Sequence, residues 1–248
     1  MSPDTILGVF VIFCRVGGCL LVAPGLSSAR VAPRIRLLVA LTVTLAVAPL
    51  LLPRFGAGLR DAAPVDILWW IGCETLTGLA IGFFGRSFYF ALETLASGVA
   101  TMIGLGGIPG NPVADTEAAS LAGSLIVMAA TILVFALDLH WELFRGLIAS
   151  YDRIPPGHPF GSRLMLAGLV DRTGAAFAMA LRVTSPFIIY SVIVNLALGL
   201  ANKLTPQIPV FFIATPFILF GGLAILLFLS NDLLGQFILD YEHWLRRG

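Results

Sequence analysis

Six stretches of this chain are apolar enough, over enough residues, to be read as membrane-crossing or membrane-buried segments, and no other feature of the sequence constrains its fold as much. They lie near Thr5–Leu26, Leu37–Leu52, Asp66–Leu92, Leu121–Leu143, Gly174–Leu200 and Ile208–Leu229; a helix crosses the hydrocarbon core with about 20 residues. None alternates in the manner of a strand. Backbone polar groups in lipid must find partners within their own segment, so helices follow. Between the stretches lie turn-rich connections, from Pro24 to Pro33, Pro53 to Pro64, Gly104 to Pro112, Ile154 to Gly161 and Asn202 to Pro209. The reading is an all-α fold of polytopic hydrophobic helices arranged as helical hairpins, in a single domain over residues 1–248. Apolar residues make up 58% of the chain and charged ones 12%, where a soluble domain carries about a quarter charged. The surplus apolar surface must face lipid or other subunits.

A formal net charge of +1 leaves no basic field for nucleic acid. Cys14, Cys19 and Cys73 are odd in number, lie in apolar runs and lack ligand spacing, so they read as small buried hydrophobes. His140, His158 and His243 show no metal-site spacing. Gly123-Ser124 lacks the GxSG frame of an intramembrane serine protease, and Tyr151-Asp152 lacks the GxGD partner of an aspartyl one. No catalytic, cofactor-binding or metal-ligating residue is assigned, and an enzyme is not expected. The N-terminus has no basic residue ahead of the first apolar run, and Arg15 interrupts that run. The first segment is therefore expected to belong to the mature protein.

Arg15, Glu74, Arg86, Glu93 and Arg182 lie within or beside the apolar runs. A charge at mid-helix costs about 2.5–3.5 kcal/mol on insertion scales. Such residues pair with each other, contact neighbouring subunits, line an aqueous path, or snorkel from a helix end. Glu74, Gly78 and Gly82 share one helix face, and small residues at that spacing allow a second backbone to approach closely. Orientation is contradictory. Arg30, Arg34 and Arg36 should hold the first connection in the cytoplasm. Simple alternation then puts Arg145, Arg153, Arg163, Arg172 and the Arg246-Arg247 pair on the far side. Either one run does not cross, or the hairpins are not conventional spans.

The segment Gly104-Leu105-Gly106-Gly107-Ile108-Pro109-Gly110-Asn111-Pro112 holds too many Gly and Pro residues for a continuous helix. It meets neither GxGxxG nor Walker spacing, so it is no nucleotide loop. Two readings stand: a gating or pore-closing element, or an ordinary exposed connection. Ala32-Pro33-Arg34-Ile35 and Thr205-Pro206-Gln207-Ile208 precede two apolar runs that contain Pro49 and Pro216, a weak internal repeat of two hairpin units.

A run of landmarks then carries a resemblance. Phe13-Cys-Arg15-Val-Gly-Gly18, Pro24-Gly25 and Val31-Ala-Pro33-Arg34-Ile-Arg36 come first. Glu74-x-x-x-Gly78-x-x-x-Gly82, Ile103-Gly104-Leu105-Gly106 with Asn111-Pro112, and Leu139-His140-Trp141 with Ile154-Pro155-Pro156-Gly157 follow. The most distinctive is Asn195-Leu-Ala-Leu-Gly199-Leu-Ala-Asn202-Lys203-Leu-Thr-Pro206-Gln207-Ile-Pro-Val-Phe211. In this order, over nearly the whole chain, they resemble the FliR/SctT family of type III secretion export-gate subunits.

The resemblance implies a core subunit of the flagellar type III protein export gate, in the bacterial inner membrane at the flagellar basal body. It would help form and close the channel through which unfolded flagellar proteins cross, without cofactors. The implied partners are P-type and Q-type gate subunits, a B-type switch protein and the exported substrates, in a hetero-oligomer that also meets lipid. Family members look like a P-type unit joined to a Q-type hairpin, with hydrophobic hairpins buried against neighbours and lifted out of the bilayer plane, which would remove the charge contradiction. By the same carry-over Gly104, Gly106, Gly107, Ile108, Pro109, Gly110, Asn111 and Pro112 form the channel plug. No aromatic lies between Leu105 and Ala119, so such a plug would seal by backbone packing and Ile108. Arg15, Arg36, Glu74, Gly78, Gly82, Asn195, Asn202, Pro206 and Gln207 are the expected subunit contacts. The rival readings are the equivalent subunit of a virulence or symbiosis injection system, and a small-solute transporter with a broken helix at its site.

Overall fold

The computed structural model describes residues 3–27, 31–59, 63–105, 112–158, 162–207 and 210–247. Seven α-helices follow in order among them: α1 (Pro3–Val22), α2 (Pro33–Leu51), α3 (Pro64–Met102), α4 (Pro112–Ala136), α5 (Leu139–Arg153), α6 (Ser162–Leu204) and α7 (Val210–Arg247). A short 3-10 helix, Leu52–Leu59, continues α2. The described residues contain no strand. The all-α expectation is met, and five helices are long and apolar enough to cross a membrane. Pro3, Pro33, Pro64 and Pro112 each open a helix, the position where a missing N–H costs nothing and a fixed φ helps.

Three helices outrun the apolar runs that announced them. α3 has 39 residues, α6 has 43 and α7 has 38. At 1.5 Å per residue α6 is about 64 Å long, about twice the hydrocarbon thickness. The Leu121–Leu143 run, by contrast, is not one helix. It breaks at Leu137–Asp138, where Asp138 takes φ +57 and α5 begins anew.

The chain divides into two compact units. The first comprises Met1–Phe88, Asp138–Thr173 and Trp244–Gly248. Its core gathers Val11, Ile12, Val16, Cys19 and Leu20 of α1 with Ala80, Phe84 and Phe88 of α3 and Leu143, Leu147 and Tyr151 of α5. Trp244 packs on Phe88 at 5.4 Å between ring centroids. The second unit comprises Tyr89–Leu137 and Gly174–His243. There Phe237 lies flat on Tyr241 at 5.8 Å, and Tyr89 meets both rings edge-on. Beside this aromatic group, Leu92, Ala96 and Val99 of α3 face Met179, Ala180 and Val183 of α6 around a small apolar cavity. Much of α6 and α7 is left uncovered: an 18-residue window within Thr173–Leu204 is 11% buried and one within Val210–Arg246 is 6% buried, against 44% for Thr5–Val22.

Candidate functional site: a buried ion pair and a glycine-capped helix end

Arg15 of α1 and Glu74 of α3 are both completely buried. Nε of Arg15 donates to Glu74 Oε2 at 2.6 Å, and Nη2 donates to Oε1 at 2.8 Å. Nη1 donates to Ser150 Oγ at 3.1 Å, and Nη2 donates also to the Ile154 carbonyl at 3.1 Å. The Gly157 N–H donates to Glu74 Oε1 at 3.2 Å. The Tyr151 ring lies 3.8 Å from the guanidinium carbon. Desolvating two charges costs several kcal/mol each, and mutual attraction offsets this only with good geometry and further hydrogen bonds. Here every guanidinium nitrogen is engaged and the pair is bidentate, the strongest form of such a contact.

Local sequence explains how five segments reach one point. Glycines let α1 and α3 cross backbone to backbone. A Cβ on Gly78 would strike the Arg15 carbonyl and one on Gly82 the Cys19 carbonyl, while one on Gly18 would lie 2.8 Å from the Thr75 carbonyl oxygen. On α5, Leu139, Leu143, Leu147 and Tyr151 are buried at a four-residue spacing, and Ser150 is buried beside them. That stripe aims the end of α5 at Arg15. The chain then turns through Pro155-Pro156-Gly157, with Gly157 at φ +80 and its missing side chain replaced by the Trp70 indole, 2.6 Å from an added Cβ. Phe55 fills the space between Trp70 and Tyr151, at 6.0 and 6.3 Å. Arg54 and Asp152, 2.6 Å apart and partly exposed, close the rim.

In the second unit α3 ends in a glycine cap. The Leu105 N–H bonds the Ala100 carbonyl at 2.9 Å, and the Gly104 N–H bonds that of Thr101 at 3.2 Å, with Gly104 at φ +89. These paired bonds over a left-handed glycine are the Schellman motif. Gly104 is therefore the helix terminator, and Pro112 opens α4. Gly106, Gly107, Ile108, Pro109, Gly110 and Asn111 lie outside the described residues.

Of the other residues singled out in the sequence, Arg15, Glu74, Gly78 and Gly82 find their partners inside the chain. All four are buried: Arg15 pairs with Glu74, while Gly78 and Gly82 lie against the α1 backbone. Asn195, Asn202, Pro206 and Gln207 are exposed, and Arg36 is half-buried on α2. Arg86 donates to Ser27 Oγ at 2.9 Å, while Glu93 and Arg182 are exposed on α3 and α6. Sequence reasoning missed Trp70, Ser150, Tyr151 and the role of Gly157. The one available signal was the opposite sign of the two charges inside separate apolar runs.

Among the described residues no group of three His, Cys, Asp or Glu could hold a metal ion. Long apolar helices around a self-satisfied ion pair, with an extensive uncovered apolar surface, define a polytopic all-helical membrane protein. The family described as "Bacterial export proteins, family 1" matches residues 6–242, so the chain belongs to it. It is similar to the flagellar biosynthetic protein FliR of Caulobacter vibrioides, 29% identical over 223 residues, covering 87% of this chain and 85% of that protein. It is also similar to the flagellar biosynthetic protein FliR of Escherichia coli, 28% identical over 213 residues, covering 86% and 80%.

Proposed function

We propose that this chain is a flagellar export-apparatus subunit of the inner membrane, working in the gate that unfolded flagellar proteins traverse. Family membership and two flagellar relatives support the apparatus. The surface of α6 and α7 supports assembly with other subunits, and it is the observation on which the reading rests. Exposed large apolar side chains extend from Phe177 to Leu204 on α6 and from Phe212 to Leu239 on α7. Each stretch is about 40 Å long at 1.5 Å per residue, against a hydrocarbon core of about 30 Å. An upright helix in lipid would leave part of this length uncovered, and in this reading neighbouring P-type, Q-type or B-type subunits cover the remainder. Asn195, Asn202 and Gln207, exposed on and beside this surface, are the polar contacts of that interface, and Arg36 of α2 is a separate subunit contact.

The connection from Gly104 to Pro112 is the channel-closing element in this reading, moving aside as substrate passes. The subunit performs no chemistry. Co-expression with and without the P-type and Q-type subunits, followed by native mass spectrometry of the detergent-solubilised product, tests the proposal. A defined hetero-oligomer formed only with the partners supports it. A monomer or homodimer indifferent to them overturns it and points to solute binding.

A further inference from the structure

The second unit carries three exposed charges at one level. Its small cavity is lined by Leu92 of α3, Val183 of α6 and Leu233 of α7. Next to these residues in sequence stand Glu93, Arg182 and Asp232, all exposed. None of the three forms an ion pair with a described residue. Beyond this level the α6–α7 hairpin holds no charge over residues 183–202 and 210–231, about 30 and 33 Å of helix at 1.5 Å per residue. Polar side chains inside the two stretches are satisfied within the hairpin. Thr184, Ser185, Tyr190, Asn195, Thr215 and Ser230 each donate to a backbone carbonyl, and Ser191 Oγ accepts from Asn195. At the ends the pattern reverses. The side chains of Arg182, Asn231 and Asp232 at one end, and of Asn202, Lys203 and Gln207 at the other, make no hydrogen bond with a described residue.

We propose that the hydrocarbon core of the bilayer is seated on residues 183–202 of α6 and 210–231 of α7. The level of Glu93, Arg182 and Asp232 then lies at one water boundary and the turn from Asn202 to Gln207 at the other. The inference rests on the reading of this chain as an inner-membrane subunit, and it assigns lipid its share of the exposed hairpin. The uncharged length of each helix matches a hydrocarbon core of about 30 Å. An unpaired charge is costly inside that core and is tolerated at its edge, where water and headgroups solvate it. A hydroxyl or amide in hydrocarbon needs a partner within the protein, which those of the two stretches have, whereas groups at the edge can be left to water. The outward side chains between the boundaries include Ile189, Ile193, Leu196, Phe217, Phe220 and Phe228. Phe177 and Leu181 of α6 and Leu239 of α7, also exposed, fall beyond the charged level. These are the apolar groups left for neighbouring subunits to cover. Asn195 Oδ1 stays open to a neighbour that shares the circumference of the hairpin.

The test uses the full chain in liposomes, with and without its P-type and Q-type subunits. Phe177→Cys, Ile193→Cys, Gln207→Cys, Phe220→Cys and Leu239→Cys are made singly in a background carrying Cys14→Ala, Cys19→Ala and Cys73→Ala, and each carries a nitroxide. If that background does not assemble, the parent with its native thiols is labelled in parallel and its signal subtracted. Power saturation compares collision with oxygen, which concentrates in hydrocarbon, and with a nickel chelate, which stays in water. The oxygen-to-nickel ratio should be several-fold higher at 193 and 220, midway between the boundaries, than at 177, 207 and 239. A ratio level along the hairpin, or highest at 177 or 239, overturns the proposal. So does low access to both reagents at 193 and 220, which means that protein surrounds the hairpin. Native mass spectrometry of the same samples separates this from the subunit reading. A maximum at 193 and 220 in a chain indifferent to its partners upholds the position of the bilayer and overturns the export-gate assignment. A hetero-oligomer without that maximum does the opposite.

Discussion

Replacing Glu74 by leucine removes three acceptor contacts at once: those to Arg15 Nε, Arg15 Nη2 and the Gly157 N–H. The guanidinium stays buried, with only Ser150 Oγ and the Ile154 carbonyl to receive its hydrogens and the Tyr151 ring beneath it. Breaking a buried pair by removing one partner costs about 3–5 kcal/mol, of which the orphaned Gly157 N–H accounts for about 1–3 kcal/mol. We expect Glu74→Leu to lose about 3–5 kcal/mol, measured by equilibrium unfolding in mixed micelles and followed by tryptophan fluorescence, to which Trp70 beside the site contributes. Removing Arg15 as well should restore much of it, because a buried pair replaced by apolar residues is often nearly neutral. The coupling in the double-mutant cycle should then be about 2 kcal/mol or more. A Glu74→Leu loss below about 1 kcal/mol, or a double variant as unstable as the sum of the singles, would refute the account of this pair as a mutually dependent buried unit.

Gly78→Val drives a branched side chain into the Arg15 backbone and should abolish recovery of folded protein from the membrane. Gly72→Ala, on the same helix but with nothing within 4 Å of its Cβ, should raise stability by about 0.5–1 kcal/mol. Gly104→Ala puts a Cβ on a left-handed residue and should cost about 1 kcal/mol, read in the same unfolding assay. Arg54→Ala breaks a partly exposed ion pair and should change stability by less than about 1 kcal/mol, in contrast to Arg15→Ala.

Helix identity is legible in the sequence because backbone groups in an apolar setting have few alternatives. Helix extent is not. The apolar run that fades near Leu92 continues as helix to Met102, since Ala96, Val99 and Ala100 keep a buried face while Glu93, Thr94 and Thr101 point outward. Hydropathy averages the two faces and misses this. The break at Leu137–Asp138 is equally hidden, because apolar flanks mask one aspartate whose left-handed backbone ends the helix. The face shared by Glu74, Gly78 and Gly82 is visible, but the helix that occupies it is not. Arg15 lies 59 residues away, and nothing in either local pattern chooses it over Arg86, Arg182 or a neighbouring subunit. Gly104 reads as one glycine of a loop. Its role as a helix cap depends on where α3 stops, which the sequence leaves open.

The buried pair also sets a timetable for biogenesis. Arg15 is made early, Glu74 follows 59 residues later, and Ser150 and the Ile154 carbonyl follow Arg15 by 135 and 139. At about 5–20 residues per second, the last groups leave the ribosome roughly 7–28 seconds after Arg15. Throughout that interval α1 holds a guanidinium whose shell is unfinished. The nascent chain therefore has a waiting state in which Arg15 must be sheltered by water, by headgroups or by the insertion machinery, and the synthesis of α5 ends it.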